Sequence, residues 1–179
     1  MGWAIAISRA NPAPMGLGHV GWAVQMADGS FLAGATEAFD AGPHWYEGGY
    51  IAAGQPNDAW TLGWLKTQAD MLAIFANPKL IPAGAGTRYV PASYNWWRGY
   101  LVENPNYEAA KSVGDNNRNK GWAFPGNTCL DHVTDVLAAY GVPWQKLGGQ
   151  PADGMPWKQT HWVPVDWLNN WNVGTRGTL

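Results

Sequence analysis

Residues 125–143 read PGNTCLDHVTDVLAAYGVP and hold the single cysteine of the chain. Thr128 followed three residues later by Asp131 makes a start resembling a capping box, with Asp in place of the usual Glu, and Gly141 and Pro143 stop the segment. Leu130, Val133, Leu137 and Tyr140 fall on one face, which predicts a helix buried in the core. Cys129 then takes the first helical position, where unsatisfied N–H groups and the positive end of the macrodipole stabilise an anion. A free thiol titrates near about 8.5, and helix-start thiols reach below neutrality, above all beside a histidine. The amide of Cys129 would also point at an oxyanion forming on a carbonyl that the sulfur attacks. The plain alternative is a small buried side chain, because free Cys is among the most buried residue types.

A partner for the thiol is sought among four histidines. His132 lies on the same helix, and a residue three positions along places its ring at the thiol's flank rather than in front of it, so a structural role is expected. A metal site built on Cys129 and His132 lacks a second cysteine, an H-x-x-x-H or a C-x-x-C, so no metal is predicted. His19 is the better partner. Residues 18–26 alternate, with Val20, Trp22, Val24 and Met26 on a bulky apolar face and His19, Gly21, Ala23 and Gln25 on a small one. A helix could approach over Gly21 and Ala23.

The strand GHVGWAV followed much later by the helix start GNTCLDHVTDVLAAYG resembles the circularly permuted branch of the papain-like cysteine enzymes. That branch includes permuted NlpC-type cell-wall peptidases and relatives of lecithin:retinol acyltransferase. The resemblance covers roughly 30 residues, and its histidine strand precedes its cysteine helix, as in that branch. It implies an α+β fold in which an antiparallel sheet packs against a central helix bearing the cysteine. It makes Cys129 the nucleophile and His19 the base that takes its proton and later protonates the leaving group. A polar residue on the next strand should orient the imidazole. If Ala27-Asp28-Gly29 is a three-residue loop, Glu37 lies opposite His19; if Asp28-Gly29 alone turns, register slips by one and Thr36 shares the histidine's face instead. Glu37 is favoured, because a carboxylate can accept the Nδ1 proton and stabilise the imidazolium.

Asn127, Trp22, His44 and Trp45 are the candidate substrate-binding residues. Asn127 stands beside the cap and could donate to an oxyanion, and His44 and Trp45 belong to the Gly-rich aromatic loop GPHWYEGGY. The resulting expectation is a thiol hydrolase, a peptidase or amidase acting on a peptide or amide substrate through an acyl-enzyme thioester. Transfer of an acyl group on the same fold is the alternative. A second alternative is a non-catalytic module that holds glycan or peptide on its 13 Trp and seven Tyr. No cofactor is called for, and a monomer is expected.

With 179 residues the chain fits one domain, residues 1–179. A formal charge of −2 and dispersed Lys and Arg give no footprint for nucleic acid. The start MGWAIAISRANPAPMG lacks a basic segment and a long apolar run, so neither a signal peptide nor a membrane anchor is expected. That leaves a cytoplasmic location or export by a leaderless route. Trp3 to Ser8, Gly18 to Met26 and Phe31 to Ala38 read as strands. A helix is expected from Asn57 or Asp58 to Asn77, and another capped by Asn104 with Gly114 just past its end. Residues 87–102 fit either a strand or a helix. The tail suggests a strand through Val163 and a short helix after Asp166.

Overall fold

The alternation of Val20, Trp22 and Val24 with Gly21 and Ala23 gives one strand two buried faces, and the fold is built outward from it. A computed structural model describes residues 1–9, 18–37, 51–55, 58–82, 93–120, 122–124, 128–147 and 175–179; for residues 37, 51–55, 58 and 122–124 the description is of the backbone. In chain order the strands are β1 (Gly2–Arg9), β2 (His19–Gln25), β3 (Phe31–Glu37), β4 (Ile51–Gln55), β5 (Asp58–Leu65), β6 (Trp96–Val102), β7 (Trp122–Phe124) and β8 (Thr175–Thr178). The helices are α1 (Gln68–Ala76), α2 (Tyr107–Asn116) and α3 (Cys129–Tyr140). The fold is α+β. An open antiparallel sheet of six strands runs in the order β5-β3-β2-β1-β6-β8, and β4 pairs with β7 apart from it.

Register in the central hairpin is set by its turn. Gly29 has φ of +84°, Met26 N–H donates to the Ser30 carbonyl at 2.7 Å, and the loop is Ala27-Asp28-Gly29. The Asp28 carboxylate accepts from the Ser30 hydroxyl at 2.6 Å and the Ser30 amide at 3.0 Å, and these bonds hold its pKa below the ordinary carboxylate range. Pairing from Gln25 with Phe31 to Gly21 with Ala35 follows. Continued by two residues, the same frame sets Val20 across from Thr36 and His19 across from Glu37.

Each face of the sheet carries its own core. On one side Ala4, Ala6, Val20, Trp22, Val24 and Leu32 pack against α2 and α3, with Cys129, Val133, Val136 and Leu137. On the other, Ile5, Ile7, Ala23, Ala33 and Ala35 pack against Met71, Ile74 and Phe75 of α1, and Tyr94 closes the layer. The phenol of Tyr140, at the end of α3, donates to the Gln25 carbonyl. Burial there pushes the phenol well above its usual range.

Two predicted helices differ from the sequence reading, and one segment it left open is decided. The long helix predicted from Asn57 or Asp58 is a strand, β5, followed by the shorter α1, which starts at a Thr67–Asp70 capping box and ends at Asn77. Trp60, Trp64 and Leu65 fit a helical period, but Trp60 and Leu62 also fit a two-residue one, and the open edge of β3 captures them. Helix α2 is capped by the Asn106 side chain, which accepts from Ala109 N–H at 3.1 Å, and runs past Gly114. Gly114 is interior because its bare Cα lies on the Trp22 indole: a Cβ there would sit 2.6 Å from Cη2. Residues 96–102 resolve as strand β6. The tail prediction lies outside the described residues, apart from the unanticipated β8.

Candidate functional site

Helix α3 places Cys129 at its first position, and the local reason is the one legible in the sequence. The Asp131 carboxylate accepts the Thr128 amide at 2.7 Å and the Thr128 hydroxyl at 2.8 Å. The Thr128 carbonyl takes the first helical bond, from His132 N–H at 3.1 Å, so the amide of Cys129 has no acceptor within the helix. Gly141, at φ of +119°, terminates α3. The thiol itself is 7 % exposed and shares a cluster with Leu130 and Val20.

The expected Cys129–His19 pair is not assembled. His19 starts β2 and pairs with Arg9, so it shares a face with Ile5 and Ile7 rather than with Val20. Its ring lies 5.8 Å from that of Tyr94, whose own face carries the Arg9 guanidinium at 4.9 Å. Gly21, next along this face, abuts the Phe75 ring. Cys129 lies over the opposite face. Both ends of α3 are tied to the hairpin, through His132 to Thr36 and through Tyr140 to Gln25, so its start lies at the His19 end of β2. The two residues therefore reach the same rim with the sheet between them. The small face admits an aromatic ring from α1, and the bulky one receives the cysteine helix.

Thr36 and His132 form the polar contact that the sequence reading missed. Thr36 sits across from Val20 and so projects onto the face covered by α3, where its Oγ1 lies 2.8 Å from Nδ1 of His132. Both residues are 1 % exposed. His132 is one turn of helix beyond Cys129, a spacing at which side chains are neighbours, with Cβ atoms about 5–6 Å apart. Its ring is held on the strand side by the Thr36 contact. The three-residue loop reading already implied this position for Thr36, and the pairing was legible once α3 was assigned to the Val20 face.

Trp22 does not line a substrate surface. It is 1 % exposed and packed on Gly114, a core residue that joins the sheet to α2. Glu37 ends β3 and pairs with Asp58, and the β2–β3 frame continued past Gly21 and Ala35 puts its backbone across from His19. Asn127, His44 and Trp45 lie outside the described residues, as does His161. Among the described residues no group of three or more His, Cys, Asp or Glu could hold a metal ion, and no helix is long and apolar enough to cross a membrane. No family model matches the chain, and neither a curated protein nor a solved structure matches it.

Proposed function

We propose that the chain is a thiol-dependent hydrolase or acyltransferase on a permuted papain-like scaffold, with Cys129 as nucleophile and His132 as its base. The observation that carries the reading is the buried Thr36–His132 contact one turn from a cysteine at a helix start. A helix-start cysteine alone would be as well explained by packing. A histidine one turn along, its ring held by a buried hydroxyl, adds the second residue type that a nucleophilic site needs. The scaffold assignment rests on the antiparallel sheet, the cysteine at the start of the helix packed on it, and a histidine strand earlier in the chain. It departs from that family in the histidine used.

For Nε2 of His132 to accept a proton, Nδ1 must carry the other one and donate it to Thr36 Oγ1, the arrangement that the 2.8 Å contact permits. The imidazole takes the thiol proton as sulfur bonds to the substrate carbonyl carbon. The amide of Cys129 stabilises the oxyanion. The C–N bond then breaks and the amine leaves with the proton held by the imidazolium. Water, or an acceptor in the transferase case, adds to the thioester, the C–S bond breaks and the thiol is restored.

Alkylation of native protein by iodoacetamide tests the reading without a known substrate. Cys129 should react faster than a free thiol at neutral pH, and His132→Gln should slow it about tenfold or more. A thiol that reacts only after unfolding, or a rate indifferent to His132→Gln, overturns the proposal.

A further inference from the structure

Trp64 is the one bulky residue among those described that combines wide exposure with a left-handed backbone: it is 77 % exposed and has φ of +64°. A side chain of this size is an outlier there, because its Cβ crowds the following carbonyl. The cause is a bulge. Phe31 pairs with Leu65 and Ala33 with Leu62, so Gly63 and Trp64 together oppose Leu32 alone. Bulges of this kind re-aim a side chain, and this one turns an indole outward from an edge strand.

The indole lines a cleft of about 290 Å³. Its apolar lining is Met26 and Leu32, and from the helical side α2 and the turn after it bring Lys111, Asp115 and Arg118. Lys111 is held by Asp115 at 2.7 Å, which raises the affinity of its amine for a proton, and Arg118 brings a second cation to the lining. Among the described residues a flat aromatic surface, a carboxylate able to accept from hydroxyls and a guanidinium thus meet in a space of about the size that suits a small ligand.

We infer that this cleft binds an acidic sugar, a pyranose ring stacked on Trp64 with its carboxylate on Arg118 and its hydroxyls toward Asp115. A peptide adding to the edge of the sheet is a poorer occupant, because the bulge interrupts the hydrogen-bonding ladder that such a strand would extend. A nucleotide offers a stacking ring, but among the described lining its phosphates would meet Asp115 beside Arg118 and a lysine already paired to that carboxylate. The cleft lies at the hairpin end of the sheet, beside Met26, away from Cys129, and its binding does not rest on the thiol reading.

Isothermal titration of the whole chain tests the assignment, with a tetrasaccharide alternating glucuronic acid and N-acetylglucosamine, neutral chitotetraose, an extended acidic peptide and AMP as probes. The acidic tetrasaccharide should bind best. Trp64→Gly, which suits the left-handed backbone and preserves the fold, should weaken it about tenfold or more. Arg118→Gln should reduce it to the level of chitotetraose, and Cys129→Ser should leave it unchanged. Absence of binding, affinity unaltered in Trp64→Gly or Arg118→Gln, or equal or tighter binding of chitotetraose, the peptide or AMP overturns the assignment.

Discussion

Replacing Thr36 by Val removes one oxygen from the base of the proposed site and changes little else in shape. Thr36 and His132 are each 1 % exposed, so no solvent can replace the lost partner of Nδ1 without rearrangement. Leaving a buried polar atom unsatisfied costs about 1–3 kcal/mol. For a domain of this size about 1 kcal/mol moves Tm by roughly 2–4 °C, so Thr36→Val should lower Tm by about 2–12 °C. Thr36→Ser is the control: it keeps the hydroxyl and loses one buried methyl, at about 1 kcal/mol. The two variants overlap in stability but separate in chemistry. Thr36→Ser should retain the alkylation rate of Cys129, whereas Thr36→Val should slow it, because the imidazole loses the contact that fixes its tautomer and orientation. Differential scanning calorimetry and timed iodoacetamide labelling, read well below both transitions, give the two quantities. If Thr36→Val melts with the wild type, the buried contact is not what holds His132. If both variants label at the wild-type rate, Thr36 plays no part in the chemistry.

Three further outcomes follow from the geometry. His19→Gln should leave Cys129 labelling unchanged in the folded protein, since the sheet separates the two; a loss as large as that in His132→Gln would restore the histidine strand as the source of the base. Gly114→Ala should destabilise by about 1–3 kcal/mol in urea unfolding, against the roughly 1 kcal/mol gain expected for an exposed helix, because the added Cβ would lie 2.6 Å from the Trp22 ring; a stabilised variant would refute that packing. Asp131→Ala should cost about 0.5–2 kcal/mol through loss of its bonds to the Thr128 amide and hydroxyl, and an unchanged midpoint would show that α3 starts without them.

Local signals carried much of the fold. The turn at Ala27-Asp28-Gly29, both ends of α3 and the alternation of β2 depend on neighbouring residues, and each was legible for that reason. Residues 58–65 were not. Trp60, Trp64 and Leu65 fit a helical spacing, and only the vacancy at the edge of β3 decides for a strand with a bulge. Gly114 reads as a stop signal and serves instead as the hollow for an indole far off in sequence. The candidate site divides in the same way. Cys129 at a helix start is local information, but whether His19 shares its side of the sheet depends on which face the helix covers.

That choice is a matter of magnitudes. The bulky face of β2 presents Val20, Trp22 and Val24, each fully or almost fully buried under α2 and α3. Burying such side chains contributes about 1.5–3 kcal/mol apiece, so covering this face is worth several times one polar contact between a thiol and an imidazole. The small face offers Gly21 and Ala23 and can be filled by less: the Phe75 ring lies against Gly21, and the packing continues edge-on to Tyr94 at 4.9 Å between centroids. A long apolar helix such as α3 therefore goes to the bulky side, and His19 goes with the minority face. The parity that sends His19 away sends Thr36 toward α3, because Thr36 stands across from Val20. A cysteine helix that packs for hydrophobic reasons thus acquires a buried hydroxyl for its own histidine, and chemistry at Cys129 has to be built from residues on that side.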